Sequence, residues 1–285
     1  MAYTYPMDLV ASQGWYITLP SKGKATPDTV KVPELRTYAS EWFHLNDAKD
    51  GVVFKARTDG ATTKNSKNPR SELREMSSDG KDEAAWSSTT GTHSMEIEQM
   101  VGVLPIGSKP VVVVGQIHDE DDDVTVFRLV GNTSGDRSIA SLWITDGDKL
   151  EGHKVTDSYR LGTKFRVGFQ VAGGKITYTY NGQPVAYTQT KKLRGCYFKA
   201  GSYNQAGGIV TKLPNGQADY AEVTLYALQV CHSGVCTGRA PGAAVPPVEP
   251  PPTTSEVSLV VEGTQPALDA LSAFLLSDIA SLRIG

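Results

Sequence analysis

Between Trp15 and Val230 the chain repeatedly alternates apolar and polar residues with a period of two. That is the pattern of strands with one face on a core and the other in water. Phe165, Val167, Phe169 and Val171 alternate with Arg166, Gly168 and Gln170. Ile176, Tyr178 and Tyr180 alternate with threonines and run into Asn181-Gly182, a pair that favours a type I′ hairpin because both positions tolerate positive φ. Glu222–Ala227 and Met95–Glu98 follow the same rule. Many strands joined by turns, with 28 glycines in 285 residues, predict an all-β fold, an antiparallel β-sandwich. A chain of this length can bury a full core. Helical signal is sparse before residue 240; Pro27–Leu35 predicts at most a short helical turn, limited by Pro33.

Three of the predicted strands carry chemistry on their polar faces. In Tyr197–Gln205, alternation puts Tyr197, Lys199, Tyr203 and Gln205 on one face around Gly201, with Phe198, Ala200 and Ser202 opposite. In Val112–His118 it groups Val112, Val114, Gln116 and His118. In Arg70–Arg74 it groups Arg70, Glu72 and Arg74, with Ser71 and Leu73 opposite. A merely solvated face does not need two tyrosines and a lysine around a residue without a side chain. Such a row suits a surface that grips an anion. Arginine and glutamine can hold and neutralise a carboxylate. Histidine titrates near neutrality, and tyrosine can exchange a proton where cations lie close. Taken singly, each residue has a plainer reading: a hydrogen-bonded strand histidine, a packed tyrosine, scattered surface cations.

The net charge is −3 and the sequence pI about 6.0, which argues against nucleic acid as the main partner. It does not exclude an acidic polysaccharide, because local charge decides binding. No apolar run is long enough to span a bilayer, and Met1–Leu9 lacks the basic and apolar regions of a signal peptide. A monomer without membrane contact is expected.

Arg70-Ser71-Glu72-Leu73-Arg74, Gln116-Ile117-His118 and Tyr197-Phe198-Lys199-Ala200-Gly201-Ser202-Tyr203-Asn204-Gln205 resemble, in order, the three motifs of the family 7 polysaccharide lyases, which are mostly alginate lyases. The flanking strand pattern extends the resemblance over about residues 1–238. It implies a β-jelly roll whose concave sheet forms the substrate groove. It also implies cleavage of a 1,4-linked uronate polymer, alginate, by β-elimination to unsaturated oligosaccharides. No cofactor is implied. Arg70 and Gln116 would neutralise the uronate carboxylate, Tyr203 would protonate the leaving oxygen, and His118 or Tyr203 would be the base. Glu72, Arg74, Tyr197, Lys199 and Gln205 would contact substrate, with Glu72 alternatively orienting an arginine. Isoleucine at position 117 is the family variant associated with acceptance of guluronate. The alternatives are a lyase for another polyuronate such as glucuronan, or a non-catalytic carbohydrate-binding jelly roll. A glycoside hydrolase would need a catalytic carboxylate pair, and no such strand motif is present.

Cys231 and Cys236 flank a short loop that a disulfide can close, which would leave Cys196 free. Three reduced thiols are the other reading; a zinc site lacks a fourth ligand at suitable spacing. The resemblance to secreted enzymes favours the Cys231–Cys236 disulfide and an extracellular location. Asp119–Asp123 lacks the glycine and spacing of an EF-hand loop and reads as solvated, with calcium binding beside the groove as the alternative. Residues 239–256 have the proline content of an extended linker. In the tail, 257–285, a short strand is expected before an amphipathic helix whose stripe is Leu268, Leu271, Leu275, Ile279 and Leu282.

Overall fold

The computed structural model describes residues 3–242, apart from 22, 108, 148, 150–151, 209–212, 214–215 and 217. The alternating segments form strands of two antiparallel sheets that face each other across one apolar core. In the first sheet the order is β10 (Gly152–Arg160), β9 (Ile139–Thr145), β8 (Asp123–Gly131), β7 (Val111–His118), β14 (Tyr197–Asn204), β5 (Arg70–Glu75), β1 (Trp15–Leu19) and β2 (Asp28–Val30). In the second it is β13 (Gln183–Thr190), β12 (Lys175–Tyr180), β11 (Lys164–Ala172), β6 (Thr92–Val103), β15 (Tyr220–His232), β4 (Val52–Arg57) and β3 (Phe43–Leu45), with β16 (Val235–Gly238) hairpinned onto β15.

Phe165, Val167, Phe169 and Val171 all point into the core, as the alternation requires. Asn181 and Gly182 have φ of 50° and 78° and join β12 to β13 with Tyr180 opposite Gln183. Cys231 and Cys236 are disulfide-bonded across β15 and β16, and Cys196 is a buried free thiol. The expected helical turn at Pro27–Leu35 resolves into β2 followed by a 3-10 turn at Glu34–Thr37. A five-residue helix, Pro6–Val10, is too short to show helical periodicity. It starts at a proline, and the Asp8 carboxylate accepts the N–H groups of Thr4 and Tyr5.

β14 lies at the centre of the first sheet and is tied at both ends. At its start, Cys196 exchanges backbone hydrogen bonds with Trp86, and the Phe198 N–H donates to Glu75 Oε2 at 2.8 Å. Trp86 Nε1 donates to the same oxygen at 3.1 Å. Beyond its end, the Gln205 N–H donates to the Val111 carbonyl at 3.0 Å and the Gly207 N–H to Asn68 Oδ1 at 3.2 Å.

β7 departs from simple alternation. Val113 pairs with Arg128 but Gly115 with Phe127, so two residues of β7 step past one of β8. This is a β-bulge. Val112, Val114 and Ile117 sit in the main core, whereas Val113 packs with Val126 and Tyr203 on the opposite face. Val112 and Val114 therefore do not share a face with Gln116 and His118. The bulge reverses the phase between them.

The linker from residue 243 onward and the tail at 257–285 lie outside the described residues. The Arg239 N–H donates to the Leu228 carbonyl at 2.8 Å, so the first residue of the expected linker still follows the sandwich. Ending the chain after Gly242 is expected to leave a soluble, folded sandwich. Thermal unfolding of the shortened chain checks this; a truncation that fails to fold would place tail residues in the folding unit.

Candidate active site

Strand register brings the three polar motifs together on the outer face of the first sheet. One cross-strand row runs Tyr16, Arg74, Lys199, Gln116 through β1, β5, β14 and β7. The next runs Thr18, Glu72, Gly201. A third runs Arg70, Tyr203, Val113. His118 stands opposite Tyr197. Residues directly opposite share a face, so the rows place the polar side chains of all three motifs on one surface. Gly201 has φ of 138°, and a Cβ there would lie 2.6 Å from the Ser71 carbonyl oxygen. Only glycine suits that backbone.

Glu72 is the hub. It is 1 % exposed, and its Oε2 takes Lys199 Nζ at 2.9 Å and Arg70 Nη1 at 3.1 Å, while Gln116 Nε2 donates to Oε1. Burial pushes its carboxyl up, but Lys199 and Arg70 outweigh that and hold it below the usual carboxylate range. Burial pushes Lys199 down hardest and Arg70 pushes the same way, so the pair with Glu72 opposes them only in part and leaves the ammonium at about 8. Arg74 pairs with Glu83 at 2.8 Å and lies over the Tyr197 ring at 3.8 Å.

His118 is stacked on Tyr197, ring centroids 4.8 Å apart. Its Nδ1 is 2.8 Å from the Asp119 carbonyl oxygen. A carbonyl only accepts, so Nδ1 carries the hydrogen and Nε2 is the lone-pair nitrogen. Burial pushes the imidazole below its ordinary value, the Asp119 carbonyl opposes that shift, and Lys199 adds to it. The Tyr203 ring lies 3.7 Å from the Arg70 guanidinium, and its hydroxyl is 2.9 Å from Ser66 Oγ.

A cleft of about 320 Å³ covers this surface. Arg70, Arg74, Gln116, His118, Tyr197, Lys199 and Tyr203 line it. Two residues expected to touch substrate do not line the cleft. Glu72 lies beneath the floor with its oxygens taken by Arg70, Lys199 and Gln116, the orienting role that was its alternative. Gln205 is 3 % exposed, beside Arg128, whose Nη1 donates to its Oε1 at 3.4 Å. Asp121 and Asp122 of the acidic run are exposed, and with Asp123 they also line the cleft next to His118. The loop folds on itself, with the Asp121 and Asp122 N–H groups donating to Asp119 Oδ1 at 3.0 Å.

Sequence reasoning missed Tyr16, Thr18, Thr63, Lys64, Asn65 and Ser66. Tyr16 and Thr18 were within reach, because Trp15, Ile17 and Leu19 alternate with them and fill the core. The loop residues 63–66 carry no periodic signal.

A family profile described as alginate lyase matches residues 7–232. An alginate lyase from Klebsiella pneumoniae is 27 % identical, with 80 % of this chain and 91 % of the relative aligned. A solved alginate lyase from Corynebacterium sp. is 43 % identical with a TM-score of 0.73, over 80 % of this chain and 98 % of that one. A solved alginate lyase of polysaccharide lyase family 7 is 44 % identical with a TM-score of 0.71, over 80 % and 99 %. With the profile spanning most of the sandwich and the cationic cleft assembled from the three motifs, the chain belongs to the alginate lyases of polysaccharide lyase family 7.

Proposed function

We propose that this alginate lyase cleaves by β-elimination and accepts guluronate as well as mannuronate. The observation that carries the reading is the cation cluster fixed on buried Glu72 between His118 and Tyr203. The C5 proton of a uronate is weakly acidic beside an anionic carboxylate. Arg70 and the second amide hydrogen of Gln116 neutralise that carboxylate, so charge arriving on it as the proton leaves is tolerated. The C5–H electrons form the C4–C5 double bond as the C4–O bond breaks, and Tyr203 protonates the departing oxygen. In mannuronate the proton and leaving group lie on one side, and Tyr203 serves both. In guluronate they lie on opposite faces, and neutral His118 takes the proton on Nε2.

Digestion of block-defined alginates tests this. Ultraviolet absorbance should rise on both block types as unsaturated ends form; products with saturated ends would overturn the reading. His118→Asn is expected to remove most activity on guluronate blocks and proportionately less on mannuronate blocks. Equal losses would indicate a shared role instead. The pH profile follows the same residue. Neutral His118 is the active form and its burial lowers the pKa, so guluronate activity should persist below the ordinary imidazole value of about 6.5 and fall on further acidification. An acid limb above that value on guluronate would contradict it.

We also propose that the enzyme works outside the cytosol, which the Cys231–Cys236 disulfide supports. Activity in the medium of the native host checks this, and activity confined to the cytosol refutes it.

A further inference from the structure

We propose that Ser66 is a positioning residue for Tyr203: it supplies the hydrogen bond that steadies the phenol oxygen each time the oxygen loses its proton. The inference rests on the proton-transfer role given to Tyr203 above.

The two oxygens are 2.9 Å apart, and Ser66 lines the cleft. A serine hydroxyl has one hydrogen and two lone pairs. One lone pair is taken, because the Asn68 N–H donates to Ser66 Oγ at 3.0 Å. The hydrogen then has two possible acceptors, Tyr203 Oη at 2.9 Å and the Asn68 carbonyl oxygen at 3.2 Å. When Tyr203 is a phenolate, the hydroxyl points at it. When Tyr203 holds its proton, the hydroxyl turns to Asn68 and leaves the phenol hydrogen for the substrate. Ser66 keeps its own proton throughout. On mannuronate, the C5 proton moves to the phenolate oxygen, passes to the departing C4 oxygen, and restores the phenolate.

The loop that carries Ser66 is fixed to the strand that carries Tyr203. The Asn204 N–H donates to the Pro69 carbonyl at 3.1 Å, and the Gly207 N–H to Asn68 Oδ1 at 3.2 Å. A Cβ on Gly207 would lie 2.0 Å from the Lys67 carbonyl oxygen, so the two segments are in direct contact. Rotation of one hydroxyl, with no backbone movement, is enough to follow the proton. The charged group facing the phenol is Arg70 on β5, over its ring. From β7 and β8 come Val113 and Val126, which do not titrate. Lys64, on the Ser66 loop, lines the same cleft.

The test compares Ser66→Ala and Ser66→Thr on mannuronate polymer. Ser66→Ala should lower kcat by about 10- to 100-fold, the loss of one hydrogen bond to a charged oxygen, with KM little changed. Ser66→Thr keeps the hydroxyl and should recover most of kcat. Thermal unfolding of both variants separates loss of fold from loss of the donor. A folded Ser66→Ala enzyme with normal kcat would overturn the inference while leaving the role of Tyr203 intact. Full activity in Tyr203→Phe would overturn that role itself.

Discussion

Tyr203→Phe is expected to reduce turnover by hundreds-fold or more on both mannuronate and guluronate blocks, with polymer binding nearly intact. The loss is that of a direct proton donor. The phenyl ring would still fill the space against Val113 and Val126 and lie beneath the Arg70 guanidinium. The fold should therefore lose only the Ser66 contact, worth about 1 kcal/mol. Binding to inactive-enzyme affinity columns and initial rates of absorbance change measure the two quantities separately. Near-normal turnover on either block type would remove Tyr203 from the chemistry of that substrate.

Glu72→Gln should have the largest effect on stability of any conservative change in the cleft. The substitution keeps the shape and removes the charge on which Arg70 and Lys199 converge, both of them 10 % exposed or less. Two buried cations are then left facing each other. Breaking a buried pair in this way costs about 3–5 kcal/mol. Activity should fall as well, because Arg70 and Gln116 lose the anchor that aims them. A second change separates the effects. Adding Lys199→Met removes one stranded charge and should recover part of the stability without restoring activity. If Glu72→Gln unfolds at the same denaturant concentration as the parent, the hub is not holding the cations. If the double variant is no more stable than the single, charge stranding is not the cause.

The period-two rule made the sandwich legible because it depends only on which face is buried. Phe165 to Val171 is such a case, and so is the hairpin at Asn181-Gly182, where the local backbone demands residues that tolerate positive φ. The same rule failed at β7, where it predicted four residues on one face. Nothing in four successive valines marks where the extra residue falls; the bulge is set by pairing with β8, a contact distant in sequence. Within the site, the cleft-lining motif residues were visible because Arg70 and Arg74 alternate along β5, Tyr197, Lys199 and Tyr203 along β14, and Gln116 and His118 beyond the bulge of β7. Glu72 and Gln205 share the parity of their neighbours, and parity says which face a residue is on but not how deep it lies under its neighbours. Depth comes from the long side chains of Arg70, Lys199 and Arg128 meeting over or beside them. Ser66 was illegible for a third reason. It is on a loop, and its place beside Tyr203 is made by hydrogen bonds across 137 residues of sequence.

The anchoring of β14 at both ends has an evolutionary consequence. Trp86 and Glu75 hold its start, and Pro69, Asn68 and Val111 hold its end. Spacing along the strand from Tyr197 to Tyr203 is thereby independent of what happens further out in the sheet. The outer strands β9, β10, β1 and β2 can exchange surface residues, lengthen their loops or shift slightly without disturbing the reacting groups. A lineage can thus change which polymer lengths and block sequences it grips by varying the margins, while the proton-transfer geometry is inherited unchanged. Selection experiments that aim to alter preference have their room there, and those that alter the anchors will mostly recover inactive protein.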